Sequence, residues 1–335
     1  MTQWMKLLVA AGSAASLGLS ACSAAPPKPP AAPSPTEPTS ATAAAALPTT
    51  YRTVKVDGLD IFYREAGPRD APVLLMLHGF PSSSRMYEPL LRRLSGSYHI
   101  IAPDYPGFGH STTPPPEQFA YTFDHLAEVI DHLAQTLALG RYTLVLQDYG
   151  GPVGFRIAMA HPERVQALVL QNANAYEEGL GTVWGPRRAF WADRAKYEAT
   201  VRANLASFEA NRTRHVGNSA HPERFDPDTW TDETAFLQQP GQLAIQMDLF
   251  YDYRTNVAAY PTWQAYLRKY QPPTLVVWGK NDRSFPIEGG RAFSRDVPRA
   301  EIHELDAGHF ALDEAPDAVA DAMRRFLASH VVKSP

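Results

Sequence analysis

Five short apolar runs constrain this chain more than any other feature: VLLMLHGF (73–80), HIIAPDY (99–105), TLVLQDY (143–149), ALVLQNA (167–173) and PTLVVWGK (273–280). None alternates apolar with polar residues. A strand with one face in water has to alternate, so unbroken runs of this length suit parallel strands covered on both sides. Helical patterns lie between them: FDHLAEVIDHLAQTLAL (123–139) is apolar at i, i+3, i+4 and i+7 and predicted to stop at Gly140, and GGPVGFRIAMAHPE (150–163) follows a strand directly. Strand–helix alternation predicts an α/β domain with a mostly parallel, doubly wound sheet. TVKVDGLDIFYREAG (53–67), two alternating runs split by DG, reads as an antiparallel hairpin that starts the sheet. After 167–173 the alternation stops for about a hundred residues. The segment 175–271 is predicted to be an inserted helical lid between core pieces 49–174 and 272–335. Its aromatic residues, among them Trp184, Trp191, Tyr197, Trp230, Phe250, Tyr251, Tyr253 and Trp263, either roof an apolar pocket or build the lid's own core.

The N-terminal region is of another kind. Residues 1–21 pair Lys6 with the apolar run LLVAAGSAASLGLSA, which has the length of an export signal and is short for a bilayer-spanning helix. Leu19-Ser20-Ala21-Cys22 follows, and Cys22 is the only cysteine in the 335 residues, so no intrachain disulfide can form. LSAC resembles the bacterial lipobox, which implies a lipidated Cys22 and a membrane-surface anchor, in the outer membrane for a Gram-negative host; an ordinary secretory signal is the alternative. Residues 22–48 are almost wholly Ala, Pro, Ser and Thr and read as a tether, with a reach of roughly 80 Å if extended throughout. A formal charge of −4 supplies no basic stripe for tracking phosphates, so nucleic acid is not an expected partner.

LVLQDYGGPVG (144–154) places one polar residue, Asp148, between a buried strand and a glycine-led helix. That is the context in which a side chain is pushed out above a sheet, next to a helix N-terminus. Four segments together resemble the α/β-hydrolase superfamily: HGFPSSS (78–84), DYPGFGHS (104–111), QDYGG (147–151), and GKND with DAGHF (279–282, 306–310). The resemblance covers about residues 50–330. It implies an oxyanion loop after the third strand, a nucleophile elbow at 147–151, and acid and histidine loops near the end. The usual elbow serine is Asp148 here, and Leu146 replaces the first elbow glycine, which predicts crowding at the turn. By the same resemblance His309 is the base, Asp282 the acid that orients it, and the backbone N–H groups of Phe80 and Tyr149 the oxyanion donors. In some relatives the acid follows the preceding strand instead, where this chain has Asn172 and Asn174, then Glu177 and Glu178. His78 reads as a structural hydrogen-bonder, and His110, His125 and His132 as solvated or structural; His303 lies outside the GHF loop that singles out His309.

An aspartate nucleophile narrows the chemistry. Attack on an ester or amide carbonyl would yield a high-energy anhydride, whereas attack on a saturated carbon leaves an alkyl ester that water can hydrolyse. Two substrates fit. Epoxide hydrolases share the HGxP form of HGFP, and FYDYRTN (250–256) resembles their tyrosine–arginine segment, which makes Tyr253 a candidate O–H donor; Tyr197 and Tyr251 are candidates for a second. Haloalkane dehalogenases bind halide through indoles, for which Trp184 and Trp191 are candidates, but they carry tryptophan after the nucleophile where this chain has Tyr149. Fluoroacetate dehalogenases carry arginine there. Epoxide opening is the leading expectation, with haloalkane hydrolysis second and a non-catalytic exported ligand-binding or sensor protein third. A small apolar substrate is expected, with no metal, nucleotide or organic cofactor implied.

Overall fold

The computed structural model describes residues 45–217, 219 and 221–331. The signal over 1–21, Cys22 and the tether up to residue 44 lie outside the described residues. Residues 45–48 run as exposed coil, and Leu47 exchanges hydrogen bonds with Ser95: its N–H donates to Oγ (2.9 Å) and its carbonyl accepts from the same hydroxyl (3.1 Å).

Eight strands form one sheet in the order β1-β2-β4-β3-β5-β6-β7-β8: β1 Thr50–Val56, β2 Leu59–Ala66, β3 Val73–Leu77, β4 His99–Pro103, β5 Tyr142–Gln147, β6 Val165–Gln171, β7 Thr274–Gly279 and β8 Glu301–Leu305. The β1–β2 hairpin turns through Asp57 and Gly58, both at positive φ, and β2 runs antiparallel to β4; all other pairs are parallel. The period of two survives inside the apolar runs. Leu144 and Leu146 of β5 face one core while Val145 faces the other, and in β3 Leu75 and Leu77 oppose Leu74 and Met76 in the same way. Helices cover both faces: α2 (Phe123–Thr136), α3 (Gly150–Ala160) and α9 (Ile287–Asp296) on the first, α1 (Glu88–Leu94) and α11 (Pro316–His330) on the second.

Two local expectations change. α2 ends before Gly140: Leu137 caps it, and Ala138 takes the left-handed conformation (φ 51°). β8 has no apolar run because it is the sheet's edge, with half-exposed residues in the order Glu-Ile-His-Glu-Leu.

Between β6 and β7 the chain forms α4 (Trp184–Ala192), α5 (Arg194–Ala206), α6 (Phe208–Val216), α7 (Asp228–Leu237) and α8 (Gln242–Tyr270). Much of its aromatic content is packing: Trp263 stacks on Phe155 of α3 (5.1 Å), and Trp230 clusters with Val216 and Phe225. His215 ties these helices to the core. Its Nε2 lies 2.7 Å from Glu233 of α7 and its Nδ1 2.7 Å from Asp313 in the short helix α10 (Ala311–Glu314). Burial lowers its pKa, but the two carboxylates outweigh burial and raise it to about 9, so the ring is an imidazolium at neutral pH.

Leu146 does not crowd the turn. It is fully buried in β5, pairs with Leu77 and Leu170, and its branched end fills the space above Gly154 one turn into α3. A Cβ at Gly154 would fall 2.7 Å from Leu146 Cδ1 and closer still to Cδ2. The small residue that lets helix and strand approach has moved from the strand to the helix. Gly154→Ala, which helix propensity alone would favour, is therefore expected to destabilise the fold by about 1–3 kcal/mol in urea denaturation through overpacking. In a Leu146→Ala background the same substitution is expected to cost nothing further.

Candidate active site

Asp148 follows β5 with φ 47°, a left-handed conformation that costs a non-glycine residue on the order of 1 kcal/mol or more. The strain aims its carboxylate back under the loop after β3. That loop comes close: a Cβ at Gly79 would lie 2.5 Å from the Cβ of Asp148, so only glycine fits there. The two carboxylate oxygens have different surroundings. Oδ1 accepts hydrogen bonds from the backbone N–H groups of Phe80 (3.0 Å) and Tyr149 (2.7 Å), while Oδ2 lies 3.5 Å from His309 Nε2. The N-terminus of α3 adds its positive dipole end to the same place.

His309 sits between two acids. Its Nδ1 is 2.6 Å from Oδ2 of Asp282, which follows β7 and is 5% exposed. Oδ1 of Asp282 accepts from the N–H groups of Ser284 (2.7 Å) and Phe285 (3.1 Å), and Oδ2 also accepts from the Asn172 amide (2.8 Å). Asn172, at the alternative acid position, thus secures Asp282; its amide also bonds the backbone of Gly279 in both directions. Asn174 bonds Tyr176 and Tyr260, and Glu177 and Glu178 pair with Arg188 and Arg295 at the surface. Burial lowers the pKa of His309, but Asp282 and then Asp148 more than offset it and raise it to about 10. Gln147 places its amide 3.2 Å from His309 Nε2, and Glu314 accepts from the N–H of Gly308 (2.6 Å), securing the loop that carries the histidine.

Above Asp148 the inserted helices close a cavity of about 20 Å³, room for a single water, lined by Phe80, Asp148, Tyr149, Trp184, Arg187, Phe250 and Tyr253. Tyr253 is 3% exposed, and its hydroxyl lies beside that of Tyr260, which also accepts from the Asn174 amide. Burial, reinforced by Tyr260 and Asp148, pushes its pKa well above the usual range, so it stays an O–H donor. The two indoles are differently placed. Trp184 lines the cavity but donates its N–H to Ser284 O (2.8 Å), and Trp191 donates to Phe250 O (2.7 Å). Tyr197 and Tyr251 are half-buried on α5 and α8 and do not line the cavity. Arg187 carried no motif and went unnoticed in the sequence, as did Arg214, whose guanidinium lies 5.2 Å from the centre of the Phe80 ring. A larger groove of about 710 Å³, between α1, α7 and α10, is lined by none of Asp148, Asp282 and His309.

The remaining histidines stand outside this arrangement. His78 is fully buried and bonds Gly79 O through Nδ1; burial lowers its pKa. His110 packs its ring against Phe62, His125 stacks on Phe119, His132 meets Asp57, and His303 lies 3.8 Å from Glu301 on the edge strand.

A family model described as the alpha/beta hydrolase fold matches residues 72–316. An uncharacterized hydrolase of Saccharomyces cerevisiae is 41% identical over 279 residues, which cover 82% of this chain and 95% of that one. Haloalkane dehalogenase 2 of Mycobacterium tuberculosis is 29% identical over 259 residues, 75% of this chain and 86% of that one. Among solved structures, a "putative epoxide hydrolase" from Pseudomonas aeruginosa superposes with a TM-score of 0.68 at 21% identity, covering 84% of this chain and 96% of that one. The family model over most of the chain and the likeness to the yeast hydrolase make the chain a hydrolase of the α/β-hydrolase family.

Proposed function

We propose that this hydrolase acts at a saturated carbon through an alkyl ester on Asp148, and that it opens epoxides to diols. The observation that carries the reading is the division of labour between the Asp148 oxygens. Oδ1 already occupies two N–H donors, while Oδ2 is free to attack. Its lone pair forms the new C–O bond as the epoxide C–O bond breaks, and the ring oxygen takes a proton from Tyr253. Alkylation erases the charge on Asp148, so His309 loses one of the two carboxylates that hold its proton. The proton it sheds balances the one that Tyr253 gave. Neutral His309 then takes a proton from water as the water oxygen adds to Cγ. Negative charge develops on Oδ1, where the N–H groups of Phe80 and Tyr149 are already aimed; its collapse breaks the ester C–O bond, and the leaving alkoxide takes the proton of the added hydroxyl, which releases the diol and leaves Asp148 a carboxylate again.

Haloalkane hydrolysis is the second reading, favoured by the likeness to the Mycobacterium dehalogenase. Against it, both candidate indole N–H groups are engaged by backbone carbonyls, whereas the Tyr253 hydroxyl has only the neighbouring Tyr260 hydroxyl beside it. In His309→Gln the second half-reaction is expected to slow by about 10²- to 10⁴-fold. Soaking with styrene oxide should then leave a covalent mass on Asp148, read by peptide mass spectrometry. Bromide release from a dibromoalkane with no adduct from the epoxide would move the assignment to the second reading. No adduct from either would favour a ligand-binding protein.

Asp148→Asn mimics the charge of the esterified state. It is expected to lower the His309 pKa from about 10, followed by NMR titration of the imidazole. The sign also sets stability: a raised folded-state pKa contributes fully below about 6.5, the unfolded value, and is lost as pH rises through about 10.

We also infer from LSAC that the chain is exported and anchored through Cys22. Expressed in a Gram-negative host with labelled palmitate, the full chain is expected to incorporate label and enter the detergent phase of a Triton X-114 partition; Cys22→Ala should do neither.

A further inference from the structure

The inserted helices bring one guanidinium group, that of Arg187, into the cavity with Asp148 and a second, that of Arg214, against the Phe80 ring, and none of the chemistry above uses them. Arg187 of α4 lines the cavity with Asp148, its guanidinium carbon 4.2 Å from the centre of the Trp184 ring and 5.4 Å from that of Phe250. Arg214 of α6 lies over Phe80 and donates to Asn211 Oδ1. Arg188, Arg194, Arg202 and Arg212, on the same helices, each meet a carboxylate. Among the described residues Arg187 and Arg214 meet none at ion-pair distance. Burial first, and then the nearby Arg187, lower the pKa of Arg214 to about 10, against the opposite pull of Glu233.

Both arginines are half-buried among aromatic rings, and ring faces offset only part of the cost of drawing such a charge from water. Among the described residues Asp148 is the carboxylate that lines the cavity with Arg187, and on the reading above it becomes an uncharged ester during each turnover. Arg187 would then share the cavity with no carboxylate, and Glu233 would be the main acidic group left acting on Arg214. An anion on the substrate removes the imbalance. It also explains how a negatively charged molecule could approach a carboxylate nucleophile, since the guanidinium groups outweigh the repulsion.

We propose that Arg187 and Arg214 form an anion-binding subsite, and that the substrate is a small molecule carrying a carboxylate next to its reactive carbon. The planar guanidinium fork matches a carboxylate. The cavity, at about 20 Å³, holds a single water, so a substrate of this kind enters only if the lid moves. The proposal departs from the expectation of a small apolar substrate. It rests on the covalent-ester reading for the reacting end of that substrate, so its test has an arm that needs no turnover.

In that arm, Asp148→Asn protein is titrated with glycolate and with the neutral glycolamide by calorimetry. Glycolate is expected to bind, glycolamide to bind at least 10-fold more weakly, and addition of Arg187→Gln or Arg214→Gln to weaken glycolate by about 10- to 100-fold, the range of a charged hydrogen bond. In the turnover arm, the ratio of kcat/KM for glycidate over glycidamide is expected to fall by a similar factor in each arginine variant, mainly through KM, with Arg187→Lys in between. A structural role predicts a lower melting temperature for Arg187→Gln; removal of a half-buried charge with no ion-pair partner predicts an equal or higher one in the absence of ligand. Failure of glycolate to bind, equal binding of glycolamide, or glycolate binding that survives both glutamine substitutions would overturn the proposal. If glycolate binds through the arginines but neither glycidate nor glycidamide is hydrolysed, the subsite stands and the epoxide reading fails.

Discussion

Asp148 is a carboxylate only 8% exposed to solvent, and a buried charge has to find its compensation inside the protein. Two backbone N–H groups grip one oxygen, an imidazolium approaches the other, and a helix N-terminus points at both. Each partner comes from a separate part of the chain: Phe80 from the loop after β3, Tyr149 from the start of α3, His309 from beyond β8. The parallel sheet is what makes this possible, because it delivers the C-terminal ends of β3, β5 and β7 to one edge. The left-handed backbone of Asp148 is the local cost of that convergence.

The parallel strands were legible because both of their faces are apolar, and the runs stand out against everything around them. β8 was not, since an edge strand needs only one buried face and here even that face is half exposed. The α2 stop shows a different limit: Gly140 is available, yet tertiary packing turns the chain two residues earlier at Ala138. Leu146 looked out of place because a strand was read without its covering helix. Its space is provided by Gly154, a residue eight positions on that reads as an ordinary helix glycine until both elements are seen together.

In the site, residues flanked by short motifs could be named in advance, and the structure brings Asp148, Asp282 and His309 into one chain of contacts. Side chains on the inserted helices could not. The meaning of an arginine there depends on whether a carboxylate stands beside it, and that is a property of packing: adjacent residues Arg187 and Arg188 differ in this respect. The indoles make the same point in reverse. Trp184 has the composition of a halide ligand, but its N–H is already committed to a carbonyl across the cavity wall.

Phe310 has a role that its place in the GHF motif conceals. Its ring stacks on the imidazolium of His215 at 4.0 Å, and its edge contacts the His309 ring at 5.0 Å. His215 belongs to the inserted helices and His309 to the catalytic loop, so a single phenyl ring is wedged between the cover and the base. One ring thus gives the inserted helices and the loop of His309 a shared wall, so a substitution at Phe310 touches the packing of both at once.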